Sequence, residues 1–151
     1  MKQLLNDFPY LTVKQSYFLL RLCLAGLFMA HASLRFFEPN YFHQFGDYLA
    51  KRHVPFAYIV PYIATAIEMI GGPMLILNRC AKWVALFFFS ISFGGIIIIH
   101  FALGWFVGEW GTGGCEYSVA LCMMCLMVAA IDREAQQERR TYFQPQTLPS
   151  N

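Results

Sequence analysis

Three features of the chain predict an all-α fold, an integral membrane four-helix bundle with an amphipathic surface helix between helices one and two. Four apolar stretches, 17–37, 56–77, 83–106 and 113–131, are each long enough to cross a hydrocarbon core of about 30 Å. Charged residues are only 13% of the 151, where an ordinary soluble domain has about 25%, and hydrophobic residues reach 58%. Yet every stretch holds an ionisable side chain, and such a group in a membrane faces the bundle interior and marks a site. The length allows one domain, 1–151, with a tail at 132–151 expected to be flexible.

Residues 1–16 form a lead of mixed polarity in which Leu4, Leu5, Phe8 and Leu11 suggest an interfacial helix. Arg21 interrupts the first apolar run, which therefore reads as a retained span and not as a cleaved signal peptide. In 38–55, Phe42, Phe45, Tyr48 and Leu49 recur at helical spacing opposite Asp47, Lys51 and Arg52, the pattern of an amphipathic helix on the outer surface. The connection 77–82 is short enough to make the second and third spans antiparallel neighbours. Gly94-Gly95 would let another helix approach the third span closely. Gly111-Thr112-Gly113-Gly114 is a flexible approach to the fourth.

An even number of spans puts both termini on one side. Lys2, Lys14, Arg79, Lys82, Arg133, Arg139 and Arg140 gather there, against Lys51 and Arg52 opposite. Cytoplasmic termini follow, with 38–55 and 107–112 outside. A net charge of +2 without a basic run gives no footing for nucleic acid. The expected surroundings are the lipid bilayer and a protein partner or a second copy of the chain.

Depth sorts the polar groups. At about 1.5 Å per residue, His31 lies about 6 Å outside the centre of its span with Arg35 further out, His100 about 10 Å and Glu116 about 9 Å. Glu68 falls near the midplane, and Arg21 about 9 Å to the inner side. Arg21, Phe28, His31 and Arg35 share one face of the first helix. His31, His100 and Glu116 are therefore candidate catalytic, proton-exchanging groups, with Arg35 a candidate ligand-binding residue. Arg21 and Glu68 are expected as a deeper structural ion pair. Arg35 snorkelling to headgroups and Glu116 answering a helix dipole are the plainer alternatives.

Of the five cysteines, Cys115 near the outer boundary is a possible redox thiol. Cys122-Met-Met-Cys125 has the spacing of a redox pair, but mid-membrane thiols pack as small apolar groups. A bis-histidine haem could use His31 and His100, yet the accompanying carboxylate and arginine suit a polar ligand better. Neither haem nor metal is the favoured cofactor. A copper-handling protein using the cysteines and histidines stays an alternative.

Arg21-Leu-Cys-Leu-Ala-Gly26-Leu-Phe-Met-Ala-His31, Glu68-Met-Ile-Gly71-Gly72, His100 with Trp105, and Gly113-Gly114-Cys115-Glu116-Tyr117 together resemble the DoxX family of small four-helix membrane proteins. Ala32 stands where the family often has Gly, and Arg35 near its usual Lys. The resemblance runs from Tyr17 to about Ile131. It implies a bacterial inner-membrane protein linked to redox chemistry, since members include the membrane subunit of a thiosulfate:quinone oxidoreductase. It also implies Trp105 as a ligand-binding residue. The expected function is quinone or quinol binding in an outward-facing pocket, as a subunit of an oxidoreductase complex. A non-enzymatic membrane scaffold or accessory subunit is the alternative from another class.

Overall fold

The computed structural model describes residues 8, 10–38, 40–106 and 113–143. Among them the chain is helical throughout, with no strand. The helices are α1 (Val13–Phe37), α2 (Tyr41–Lys51), α3 (Val60–Ile76), α4 (Ala81–Gly95) and α5 (Glu116–Phe143). A π-helical turn, Ile96–His100, and a 3-10 turn, Phe101–Leu103, continue α4. Of the interfacial helix expected within 1–16, residues 1–7 lie outside the described residues and 10–12 are not helical; the expected outer loop 107–112 and the end of the tail, 144–151, also lie outside them.

The long helices close a ring in which α1 packs on α3, α3 on α4, α4 on α5, and α5 back on α1. Each turns a narrow seam inward. In α1 this is Arg21, Leu24, Ala25, Phe28, Ala32 and Arg35, a spacing of three and four that keeps one face against its neighbours. The interior is built largely from small and polar residues, among them Ala25, Thr65, Glu68, Ala85 and Ser92. Large apolar side chains such as Phe18, Leu22, Ile63, Ile70, Trp83 and Phe87 stay exposed on the outside. A water-soluble bundle has the opposite arrangement. α1 and the continuous run Ala81–Leu103 are long and apolar enough to cross a membrane; α3, at 17 residues, is a shorter apolar helix.

Two glycines set the approach of α3. A methyl at Gly71 would come within 3.0 Å of both Val84 and Phe88 on α4. At Gly72 it would collide with Met29 of α1. The expected close approach at Gly94-Gly95 does not occur. Nothing lies within 4 Å of the Gly94 position, and only the His100 ring borders Gly95. Both glycines open space where a helix was expected to fill it.

Several boundaries differ from the sequence expectation, each for a local reason. α1 starts at Val13, not 17, because Thr12 and Gln15 form a reciprocal capping box: the Gln15 N–H donates to the Thr12 hydroxyl (3.3 Å) and the Thr12 N–H to the Gln15 side chain (2.9 Å). α3 starts at Val60, not 56, since His53 and Phe56 have left-handed backbone and Pro61 suits a first turn. The third span stops at Leu103, where Gly104 takes φ +89°. α5 begins at Glu116 and runs to Phe143, so 132–143 is helix and not the expected flexible tail. Asp132 is the reason on this side: its carboxylate accepts the Lys82 backbone N–H (2.9 Å) and the Gln136 side-chain amide (2.8 Å). It thus caps the start of α4 from a neighbouring helix while bracing its own.

Candidate active site

The amphipathic helix α2 folds against the C-terminal end of α1 and the N-terminal end of α3 through aromatic pairs. Phe42 stacks on Tyr62 (centroids 4.4 Å apart), and Phe36 meets Phe42 edge-on. Gly46 lies so close to the Tyr58 ring that any side chain there would strike it. The Tyr58 hydroxyl donates to Asp47 (2.8 Å), and Arg52 reaches across to the Ile98 carbonyl of the π turn (2.8 Å).

Beneath α2 is a cavity of about 530 Å³ to which all five helices contribute. Its walls are mostly apolar, with Leu27, Phe45, Leu49, Ile67, Phe87 and Leu121 among them. Its polar residues are His31, Arg35, Glu68, Ser90, Ser92, His100, Tyr117 and Ser118. Phe28, also on the wall, stacks on the buried Phe88 at 4.1 Å. A volume in the range of small-molecule sites, apolar walls and a few convergent polar groups make this the candidate site.

The polar end has a defined order. Pro61 leaves α3 a carbonyl that accepts the Thr65 hydroxyl (2.7 Å), and Thr65 in turn accepts from Arg35 (2.7 Å). The same Arg35 nitrogen donates to one carboxylate oxygen of Glu68, and both side chains are buried. The second carboxylate oxygen, Oε1, is buried without a protein partner, as are Arg35 Nε and His100 Nδ1. His31 lines the same cavity as Arg35 and His100.

The ion pair is therefore Arg35–Glu68 and not the expected Arg21–Glu68. Side chains on a helix lean toward its N-terminus. Arg35 accordingly leans inward along α1 to meet Glu68, whereas Arg21 leans away from it. Arg21 instead donates to the last carbonyls of α3, Leu75 (3.0 Å) and Ile76 (3.4 Å), and lies over the Tyr17 ring. The expectation that Arg35 snorkels to headgroups fails for the same reason.

His31, His100 and Arg35 do meet at one cavity, as their depths predicted, and Glu68 joins them. Glu116 is not on the wall; Tyr117 and Ser118, the next residues of α5, are. Trp105 does not line the cavity either, because the chain has left the helix at Gly104 and the indole is exposed. Cys115 is buried with its N–H on the Gly104 carbonyl (3.1 Å), away from the cavity wall, which does not suit a reactive thiol. Cys122 and Cys125 are free, buried and packed in the seam of α5. Among the described residues no cluster of three or more His, Cys, Asp or Glu could hold a metal ion. Sequence reasoning missed Phe45, Leu49, Ser92 and Ser118. The two serines carried a signal, being hydroxyls at inward positions of otherwise apolar runs.

The DoxX family model matches residues 16–101, more than half of the chain. The chain belongs to the DoxX family. Within the DoxX match fall His31, Arg35, Glu68 and His100 of the cavity, and Arg21, which bonds the last carbonyls of α3. Gly113–Tyr117 lies beyond it. No curated protein and no solved structure matches the chain. DoxX membership, with the apolar helices and the outward-facing apolar side chains, makes this a membrane-type protein.

Proposed function

We propose that this protein crosses a bacterial inner membrane four times, with both termini cytoplasmic, and binds quinone or quinol in the cavity as a subunit of an oxidoreductase complex. The observation that carries this reading is one apolar-walled cavity bringing together His31, Arg35, Glu68 and His100, with buried polar atoms on Glu68, Arg35 and His100 that no protein group satisfies. A buried polar atom without a partner costs about 1–3 kcal/mol, so a ligand that pairs it binds with that gain. The apolar walls suit a ring and the start of an isoprenoid tail. A bound quinone would supply two-electron redox chemistry coupled to protons.

His31 and His100 hydrogen-bond the ring oxygens and exchange protons with them, since an imidazole can both donate and accept. Arg35 holds Glu68 in place and keeps the pair neutral as a whole. Glu116, next to Tyr117 on the wall, passes protons toward the outer water. The basic residues Lys14, Arg79, Lys82 and Arg133 support the orientation, since the end they occupy faces the cytoplasm. Binding of a short-tailed quinone to purified protein in lipid nanodiscs tests the reading. His31→Ala and His100→Ala should each weaken it about tenfold, as loss of one buried hydrogen bond does. Unchanged affinity in both removes the assignment.

A membrane scaffold is the second reading, favoured by α5 continuing about 18 Å past Ile131 as a charged helix. On that reading, Glu68→Gln and His100→Ala lower stability but leave capture of a soluble partner intact.

A further inference from the structure

We infer that the cavity selects the reduced, hydroxyl-bearing form of its ligand over the oxidised, carbonyl form, and that Glu68 is the residue that makes the choice. The inference rests on the quinone reading above. Its ground is the hydrogen-bonding inventory of the polar end. Glu68 is paired with Arg35 through one oxygen, and the carboxylate of such a pair only accepts hydrogen bonds. Its other oxygen, Oε1, is buried with no donor. Arg35 Nε only donates, and it too is buried and unpaired. His100 Nδ1 can donate or accept according to tautomer.

A quinone presents carbonyl oxygens, which accept and never donate. It can satisfy Arg35 Nε and a protonated His100 Nδ1, but it leaves Glu68 Oε1 buried and unpaired. A quinol hydroxyl both accepts and donates, so it can satisfy any of the three. The two forms have nearly the same shape and apolar area, and the walls therefore treat them alike. The difference between them is the bond to Glu68. A site with a buried group that requires a hydroxyl strongly rejects the analogue lacking one, because the site's own polar atom is then stranded.

Thr65 does not compete for this role. Its hydroxyl proton is committed to the Pro61 carbonyl, and its oxygen accepts from Arg35. The arrangement Pro61–Thr65–Arg35–Glu68 thus fixes one carboxylate oxygen and leaves the other without a donor, on a residue that lines the cavity.

The experiment is an anaerobic titration of the full-length protein in nanodiscs with three compounds of one skeleton: a short-tailed quinone, its quinol, and the quinol dimethyl ether. The quinol should bind at least about tenfold more tightly than the quinone, and the dimethyl ether, which keeps the oxygens but has no hydroxyl to donate, no better than the quinone. Glu68→Gln, whose amide can donate to a carbonyl, should bring the quinol-to-quinone ratio to within about threefold. Equal or tighter binding of the quinone, or of the ether relative to the quinol, overturns the inference while leaving the quinone site standing. Failure of all three compounds to bind removes that site and the inference with it. The ether comparison needs no variant, so it decides the matter if Glu68→Gln does not fold.

Discussion

Replacing Arg35 with Met should destabilise the protein far more than replacing Arg35 and Glu68 together. With side-chain exposures of 4% and 1%, the pair has almost no contact with solvent. Removing one member of such a pair costs about 3–5 kcal/mol, chiefly because the other charge is left buried and uncompensated. Thr65 adds little, since its hydroxyl keeps its bond to the Pro61 carbonyl. Exchanging both members for Met strands no charge and fills a similar volume, so it should cost about 1 kcal/mol or less. With each single replacement costing about 3–5 kcal/mol and the double about 1, the double-mutant cycle should then show a coupling of roughly 5–9 kcal/mol. A parallel cycle on Arg21 and Glu68 should show less than about 0.5 kcal/mol, because Arg21 bonds at Leu75, two turns or about 10 Å along α3 from Glu68. Equilibrium unfolding in mixed micelles, followed by far-UV circular dichroism, gives each value. Additive Arg35 and Glu68 costs, or strong coupling to Arg21, would refute the reasoning.

Other contacts give separate outcomes. Gly72→Ala forces Met29 aside and should cost about 1–3 kcal/mol in the same unfolding measurement, with much of the loss recovered when Met29→Ala is added. Asp132→Ala removes the acceptor for the Lys82 N–H and should cost about 1–2 kcal/mol, whereas a charge-independent cap, Asp132→Asn, should retain most of it. Arg52→Met cuts the link from α2 to the Ile98 carbonyl; global stability should move by less than about 1 kcal/mol, while amide exchange over 41–52 becomes faster. Unchanged exchange there would show that the aromatic pairs and the Tyr58–Asp47 bond hold α2 without it.

Axial position was readable from sequence because helical rise is constant. That is why His31, Arg35 and His100 share one level in the sequence reading; Glu116 shares it too, yet is not on the cavity wall. Lateral position was not, since it depends on how far one helix slides along its neighbour. Gly72 settles that slide by admitting Met29, which leaves Glu68, one turn further out, near the level that Arg35 reaches by leaning inward. The direction in which side chains lean was a usable signal for that pairing. Helix ends were harder. Thr12-x-x-Gln15 announces the start of α1, but the continuation of α5 past Asp132 depends in part on a bond to the start of α4, a contact between residues 50 apart. α2 was recognised as amphipathic, yet its role as one wall of the cavity was not. Periodicity reports that a face is apolar without saying what covers it.

The π turn at Ile96–His100 makes the isoleucine run sensitive to its length more than to its composition. The N–H of Phe101 bonds back five residues to Ile96, so one residue more than an α turn holds is accommodated just before His100. Exchanges among aliphatic residues at 96–99 leave that count intact. A single deletion would let the turn relax to ordinary α geometry with His100 near its present face, whereas an insertion would add a second extra residue and rotate His100 by about 100° from the cavity. Sequences in which the run gains one residue should therefore have lost the site even where every polar side chain remains, while loss of one residue should be tolerated.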